Sequence, residues 1–266
     1  MRSVSSVFVL FVIFPYCRVS VNERMQLQKV VPWGRSLDEY RGMFALSETD
    51  LRGRLLGCGD GPASFNAELT ASGKSQRLVS VDPLYVFSGP EIASRVEQTY
   101  ETIVSHVKLN HDRYVWTYFS DPDALGAARL NAMKIFLDDY EPGRAEGRYL
   151  VGALPNLPFN EGEFDLCLCS HLLFLYSAQL SADFHLASML EMLRVAQEVR
   201  VFPLLDLDLQ RSAHLDPVMA ELRSANFSAE IVDVPYVFQK SGGQMLRVVR
   251  RSETTERDPQ LAQISV

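Results

Sequence analysis

A glycine-rich turn followed by an acidic residue is the part of this chain with the clearest chemical meaning. The turn, Gly57-Cys-Gly-Asp-Gly61, follows a short apolar stretch, and a second apolar stretch, 77–81, ends on Asp82. Glycines let the backbone approach a ligand closely, and an acid at the tip of the next strand can accept both hydroxyls of a ribose. We therefore predict a site for a nucleoside-containing ligand. The predicted contacts are Gly57, Cys58, Gly59, Gly61, Asp82 and Pro83.

The same residues also have purely structural interpretations. The glycines could only close a tight turn between a strand and a helix, and Asp82 could only cap the element that begins at Pro83. However, a simple turn does not need three glycines at alternate positions. Asp82 also lies one strand beyond the glycine turn, which is where a ribose-binding acid is expected. Both observations favour the ligand-binding interpretation.

Composition limits the class of protein. The chain has 266 residues, 47% of them hydrophobic and 22% charged, which is typical of a soluble enzyme with one large domain. Its formal net charge is −7. Binding to a nucleic-acid backbone requires concentrated Lys and Arg, so we do not expect nucleic acid to be the main partner.

The cysteines and histidines suggest neither disulfides nor a metal site. The four cysteines show no CxxC spacing. Cys167 and Cys169 lie two apart in one predicted strand and so point to the same face, where we expect them to be small buried hydrophobic residues. This pattern fits a reducing compartment. His106 and His111 are five apart, which is the wrong spacing for ligands on one helix face, and no HExxH motif is present. We predict no catalytic metal.

The first 24 residues allow two interpretations. The apolar run 7–14 after Arg2 resembles the core of a signal peptide and is too short to span a bilayer as a helix. Alternatively, the true start is Met25, and the protein is cytoplasmic. We favour Met25 because the remaining sequence reads as an intracellular α/β enzyme. If residues 1–24 are a genuine signal, the protein is instead exported or associated with a membrane.

Apolar strand patterns alternate with helical patterns from Met25 onward. This order predicts a Rossmann-like, doubly wound α/β fold with a mostly parallel sheet in a single domain, 25–252, followed by a flexible tail, 253–266. The predicted strands are one ending at 55–56, and 77–81, 149–151, 164–169 and 198–205. The predicted helices include 36–46, 63–71 and 181–196.

Two features depart from simple alternation. Two helical patterns, 90–110 and 122–140, stand where a minimal unit has one, and they predict a helical insertion at about 86–145 that lines the acceptor side of the site. Near the C-terminus, strand patterns at 230–234, 237–238 and 245–250 are joined through a Ser-Gly-Gly turn. They predict a hairpin whose last strand is antiparallel to the sheet.

Together these motifs resemble class I S-adenosylmethionine-dependent methyltransferases. The glycine turn, Asp82, the segment Leu154-Pro-Asn-Leu-Pro-Phe159 and the strand that runs into Ser170-His171 follow the order of that family. The reversed last strand also matches. The resemblance covers about residues 53–250.

The resemblance implies roles for individual residues. The glycine turn would face the methionine part of S-adenosylmethionine and Asp82 the ribose, while Leu154 would lie beside the adenine. Ser170 and His171, at the end of the fourth strand, would face the methyl group. Two features differ from the family: Leu55 or Gly57, depending on register, stands where an acid often opens the glycine motif, and Ala153 stands where an acid often reads the adenine amine. In addition, the Asn/Asp-Pro-Pro-aromatic motif of base-amino methyltransferases is absent after the fourth strand, which disfavours methylation of DNA bases.

Two further residues have both a functional and a structural interpretation. His171 is either a general base at the methyl-transfer face, since imidazole titrates near neutral pH, or a histidine packed under the next helix. Arg35 either reaches the carboxylate of the cofactor through a bidentate pair or is a solvated side chain next to Trp33.

The sequence therefore predicts a methyltransferase that uses S-adenosylmethionine to methylate a small molecule or a protein. The first alternative is a protein of the same fold that binds the cofactor without turnover. The second is an NAD-dependent oxidoreductase, suggested by the spacing of Tyr236 and Lys240. This spacing resembles the Tyr-x-x-x-Lys pair of short-chain dehydrogenases, which acts from one helix face. Here the pair is predicted to lie in a strand, and the C-terminal hairpin also opposes this alternative.

Overall fold

The computed structural model describes residues 33–251. The predicted signal-like segment 1–24, the alternative start at Met25 and the tail 253–266 lie outside the described residues. Within them, seven strands form one sheet. The strands are β1 (Arg54–Cys58), β2 (Arg77–Val81), β3 (Tyr149–Leu150), β4 (Phe164–Ser170), β5 (Ala196–Phe202), β6 (Phe227–Asp233) and β7 (Gln244–Arg250).

The strand order defines the fold. The strands lie side by side as β3-β2-β1-β4-β5-β7-β6. Strands β1 to β5 pair in parallel, whereas β7 is antiparallel to both β5 and β6. This is the Rossmann-like class I methyltransferase fold, with its reversed seventh strand, and the predicted fold class is confirmed.

Six helices connect the strands in the described range. They are α1 (Leu37–Met43), α2 (Phe65–Ala71), α3 (Gly89–Leu109), α4 (Pro122–Ala145), α5 (Ala182–Val195) and α6 (Leu215–Ser224). Ser36 caps α1 in a capping box with Glu39, and Ser181 caps α5. Helices α3 and α4 occupy the interval 86–145 and contact each other. Helix α6 was not predicted, although buried Leu215, Val218 and Leu222 give it a helical apolar face.

Several predicted boundaries are wrong: α1 ends at Met43 and not at 46, α4 extends to Ala145 and not to 140, and β5 begins at Ala196 and not at 198. The fifth strand ends at Phe202 and not at 205, because Pro203 has no N–H group with which to continue the ladder. The Val237-Phe238 pattern is not a strand but part of a long connection, 234–243, between β6 and β7. This connection contacts the segment between α3 and α4, where the Val115 N–H donates to the Phe238 carbonyl at 2.8 Å.

The cysteines pack as predicted. Cys58, Cys167 and Cys169 are free and at most 1% exposed, and all three belong to the largest apolar cluster, between the sheet and α5. No helix within residues 33–251 has the length and hydrophobicity needed to cross a bilayer.

Candidate functional site

The glycine turn lies at the carboxyl end of β1, next to the end of β2. The Gly59 N–H donates to the Val81 carbonyl at 2.9 Å, which holds the turn against β2. Gly59 and Gly61 have φ values of 69° and 54°, in the left-handed region that favours glycine. The backbone therefore favours glycine at these two positions, independently of any ligand.

Gly57 has a different structural role. A Cβ atom at this position would lie 1.8 Å from Oδ2 of Asp60, so the missing side chain leaves room for an acid of the turn itself. Tyr40 and Ser80 donate hydroxyl hydrogen bonds to the Asp60 carboxylate at 2.7 and 2.6 Å. Burial raises the pKa of Asp60 to about 6, although these two hydrogen bonds oppose the shift. The Gly57–Asp60 contact thus gives the first glycine an internal explanation.

The other two glycines differ in what surrounds them. A Cβ at Gly59 would lie 2.7 Å from Cδ2 of Leu172, so protein already fills that space. A Cβ at Gly61 would have no atom of residues 33–251 within 4 Å. Of the three glycines, Gly61 therefore leaves open space in which a ligand could approach the backbone.

Asp82 holds the same part of the turn. Its Oδ2 accepts the Gly61 N–H at 2.9 Å, and its Oδ1 accepts the Leu84 N–H at 2.7 Å. The second bond caps the short 3-10 helix Pro83–Val86, so the capping interpretation describes part of what Asp82 does. Burial raises the pKa of Asp82, and the two backbone N–H groups counteract that shift. Each carboxylate oxygen keeps a lone pair for a further donor such as a ribose hydroxyl.

The expected adenine side has a mixed surface. Val86, after β2, and Val151, after β3, are 51% and 53% exposed, which leaves two apolar side chains near adjacent strand ends. Leu154 and Cys58, both predicted cofactor contacts, instead bury their side chains in the largest apolar cluster. A ligand would meet the backbone of these two residues, and Pro83 is itself exposed.

His171 follows β4 directly and lies at the same edge of the sheet. Its φ of 54° is unusual for a residue with a side chain, and its N–H donates to the Phe202 carbonyl at 2.7 Å. Its Nδ1 is 2.9 Å from the Ser170 hydroxyl. Burial, followed by the charges of Arg35 and Arg129, lowers the pKa of His171 well below its ordinary value. The ring is therefore neutral at physiological pH, as a general base must be.

Arg35 lies against the glycine turn. Its carbonyl accepts the Ser64 N–H at 3.0 Å, and a Cβ at the preceding Gly34 would lie 1.9 Å from the Pro62 carbonyl oxygen. Burial and the charge of Arg129 lower the pKa of Arg35 to about 10, so it stays cationic at neutral pH. Arg35 thus lies buried beside the glycine turn and is not a solvated side chain.

A buried ion pair beside Arg35 was not predicted. Arg129 on α4 bonds to Glu39 on α1, and each of these two side chains is 2% exposed. The Tyr236 hydroxyl donates to the other oxygen of Glu39 at 2.9 Å. One signal in the sequence could have revealed Arg129: it interrupts an apolar stripe at helical spacing between Leu125 and Met133.

The contact of Tyr236 also bears on the oxidoreductase alternative. Tyr236 and Lys240 lie in the irregular connection before β7 and not on a helix, and the hydroxyl of Tyr236 is engaged by Glu39. The predicted strand at this point is wrong, but the conclusion that the two residues do not share a helix face is confirmed. Among the described residues, no group of three His, Cys, Asp or Glu side chains is arranged to hold a metal ion.

Comparison of sequences places the chain in a family. It is 30% identical over 228 residues to the uncharacterized protein MJ0045 of Methanocaldococcus jannaschii, covering 85% of this chain and 99% of that protein. The chain belongs to the same family as this archaeal protein. No protein-family model matches the chain.

Three solved structures with a similar fold are distant in sequence. Magnesium protoporphyrin IX methyltransferase from Synechocystis PCC 6803, with bound SAM, is 14% identical, with a TM-score of 0.41 over 81% of this chain and 78% of that chain. A SAM-dependent methyltransferase from Thermotoga maritima, a possible histamine N-methyltransferase, is 12% identical, with a TM-score of 0.37 over 81% and 92%. A putative S-adenosyl-L-methionine-dependent methyltransferase from Methanococcus maripaludis is 10% identical, with a TM-score of 0.39 over 82% and 85%.

Proposed function

We propose that this protein is a methyltransferase that uses S-adenosylmethionine to methylate a small molecule or a protein. The proposal is carried by the convergence of Gly61, Asp82 and His171 at the carboxyl edge of β1, β2 and β4, in a sheet whose last strand is reversed. Ligands of open α/β sheets bind at this edge.

The residues present fit the three parts of the cofactor: its amino-acid end, its ribose and its base. The open space at Gly61 lets a ligand reach the backbone of the glycine turn, and the Asp82 carboxylate beside it has lone pairs free for hydroxyl groups. Val86 and Val151 offer apolar surface for a base. When bound, S-adenosylmethionine would supply an activated methyl group on its sulfonium.

The contribution of the protein is then mainly to position the acceptor and accept a proton. Alignment of two reactants accounts for a large part of the rate in such reactions. His171 is suited to take the proton because its ring is neutral, and Ser170 orients it through Nδ1. His171 can act as a base through Nε2 only when Nδ1 carries the ring proton and donates it to the Ser170 oxygen. In the other tautomer, the Ser170 hydroxyl donates to Nδ1 and Nε2 already carries the ring proton.

A binding protein without turnover is the alternative from another class. It would be favoured by an acceptor side that lacks polar groups near His171. The Ser170 hydroxyl instead lies 2.9 Å from Nδ1 of this ring, and the charges of Arg35 and Arg129 act on the pKa of His171. This polar environment supports turnover over binding alone.

Isothermal titration calorimetry tests the cofactor. We expect S-adenosylmethionine and S-adenosylhomocysteine to bind with dissociation constants in about the micromolar range. We expect NAD not to bind, since Tyr236 and Lys240 do not share a helix face and the last strand is reversed. Binding of NAD alone would replace the proposal with the oxidoreductase alternative. Binding of neither would leave the glycine turn as a structural element only.

A further inference from the structure

Within residues 33–251, three buried N–H groups around the Glu39–Arg129 ion pair have no hydrogen-bond partner: Nε1 of Trp33, Nε of Arg35 and Nε of Arg129. They lie close together, because the Arg129 guanidinium is 5.5 Å from the centre of the Trp33 ring and Nη1 of Arg35 donates to the Trp33 carbonyl at 2.7 Å. Burying a donor without a partner is unfavourable, so each such group in a folded protein needs an explanation. All three are donors, which points to an acceptor that they share.

The charges in this region are also unbalanced. Arg35 and Arg129 carry two positive charges, and Glu39 is the acid that pairs with Arg129. Both oxygens of Glu39 are already in use, since they accept from the Ser36 N–H and the Tyr236 hydroxyl as well. In residues 33–251 no other carboxylate forms an ion pair with either arginine, and His171 is neutral. Among the described residues, Arg35 is therefore a buried cation without an ion-pair partner of its own.

We propose that Trp33, Arg35 and Arg129 bind the anionic group of the acceptor, which is then a small molecule that carries a carboxylate or a phosphate. This inference rests on the proposed methyltransferase function. Guanidinium groups suit these anions because their planar N–H donors match the spacing of two oxygens. An anion at this point would satisfy the three unpaired donors and balance the excess charge.

The position of the donors favours the acceptor over the amino-acid end of the cofactor. Arg129 lies on α4, in the helical insertion, and both arginines are near enough to His171 for their charges to lower its pKa. An anion held by them would place the rest of the acceptor beside the imidazole. It would also offset the two positive charges, so that His171 becomes a stronger base when the acceptor binds.

Tryptophan fluorescence offers a direct test, because the chain has two tryptophans, Trp33 and Trp116. The half-buried side chain of Trp116 donates its indole N–H to the carbonyl of His111. Trp116→Phe therefore leaves Trp33 as the sole reporter. This variant is titrated with acetate, succinate and phosphate at constant ionic strength, with and without saturating S-adenosylhomocysteine.

We expect a saturable change in Trp33 emission in both conditions. Arg35→Gln in the same background should weaken the apparent anion affinity about tenfold or more, as loss of a charge-assisted hydrogen bond implies, and should leave the affinity for S-adenosylhomocysteine within about threefold. Arg113→Gln is the matched control, since Arg113 is half-buried and its guanidinium donates to the Asp208 carbonyl; it should change neither. Circular dichroism checks the fold of each variant. If Arg35→Gln does not fold, Trp33→Phe replaces it, with anion binding followed by calorimetry.

Two results would overturn the inference. If saturating S-adenosylhomocysteine abolishes the anion response, and Arg35→Gln weakens this ligand but not 5′-methylthioadenosine, which lacks the carboxylate, then the donors hold the cofactor. If neither carboxylates nor phosphate change the emission more than chloride does, the donors are merely hydrated. Failure of the proposed function gives a different result: S-adenosylmethionine and its product do not bind, whatever the anions do.

Discussion

The carboxylate of Asp82 accepts the N–H of Gly61 at 2.9 Å, so the end of β2 is bonded to the glycine turn that follows β1. The same carboxylate caps the 3-10 helix Pro83–Val86 through the Leu84 N–H. One side chain thus fixes the turn and the strand end on both sides of the proposed ribose position. Its loss should affect both the fold and the affinity for ligand, and the two effects need to be separated.

Asp82→Ala should weaken binding of S-adenosylhomocysteine by about 1.5–3 kcal/mol, the range for hydrogen bonds to a charged group. It should also lower the melting temperature, because two backbone N–H groups lose their acceptor. Calorimetry and thermal unfolding measure the two effects. Asp121→Ala is the control, since Asp121 caps α4 in the same way but is exposed; it should cost about 1 kcal/mol of stability and no affinity.

An unchanged affinity of folded Asp82→Ala would show that Asp82 has only the capping role. Asp82→Asn gives an intermediate case, because one amide oxygen still accepts a backbone N–H while the charge is lost. We expect it to keep most of the stability and to lose a large part of the affinity. The reverse order would again limit Asp82 to its structural role.

Gly61→Ala tests whether the open space beside the turn holds a ligand. The methyl group would meet no protein atom within 4 Å, but the φ of 54° is unfavourable for alanine by about 1–2 kcal/mol. We therefore expect a moderate loss of stability together with a loss of affinity for S-adenosylhomocysteine of about tenfold or more, because the methyl group occupies the ligand's space. Thermal unfolding and calorimetry provide the two values.

Gly162→Ala is the matched control for this substitution. Gly162 has a φ of 64°, likewise with no atom within 4 Å of the added Cβ, and it lies before β4, at the opposite end of that strand from the site. The two variants should lose similar stability, and only Gly61→Ala should lose affinity. Equal affinities in both would show that the turn does not contact the ligand. Gly59→Val is less informative, since its side chain would also collide with Leu172.

The sequence predicted the fold well because the signals are local. Short apolar runs separated by amphipathic segments define β1, β2 and β4, and the cap residues Ser36 and Ser181 mark the starts of α1 and α5. The reversed last strand follows from the lack of a helical pattern between two strand patterns. These features depend on neighbours in the chain, which are visible in the sequence.

The site was predicted only in part, because its contacts join distant segments. The reason for Gly57 is the side chain of Asp60, and the charge near His171 comes from Arg129, which no local pattern connects to β4. Likewise, Tyr236 is bonded to Glu39 although 197 positions separate them in the sequence. Such contacts follow from tertiary packing, which the periodicity and spacing of residues in the sequence do not predict.

Asp60 should make stability depend on pH. Its pKa is about 6 in the folded protein against 3.8 when exposed, because burial disfavours the charged form. The folded state therefore binds more protons than the unfolded state between these values, so this contribution to stability is present below pH 4 and is lost as the pH rises to about 6. Its size is roughly 2–3 kcal/mol by linkage.

The measurement is the free energy of unfolding by urea between pH 4 and 7.5, for the wild type and for Asp60→Asn. Other groups titrate in both proteins, so the difference between the two curves isolates Asp60. We expect the stability of the wild type relative to Asp60→Asn to fall between pH 4 and 6 and to be constant above pH 7. A difference that does not vary with pH would mean that the carboxylate keeps its ordinary pKa in the folded protein.

His171 provides the test of chemistry. If it is the general base, His171→Ala should reduce turnover by about 10²–10⁴-fold, the usual range for such a group, and leave the affinity for S-adenosylhomocysteine nearly unchanged. His185→Ala is a poor control because His185 is buried and bonded to the Phe174 N–H, whereas His111→Ala is a good one, with an exposed ring far along the chain from β4.

Because the assay needs an acceptor, thermal unfolding of His171→Ala comes first: a large fall in melting temperature with wild-type cofactor binding would point to packing. Once an acceptor is available, a rate equal to that of the wild type would exclude His171 as the base. A rate loss confined to His171→Ala, with intact cofactor binding and an unchanged melting temperature, would establish it.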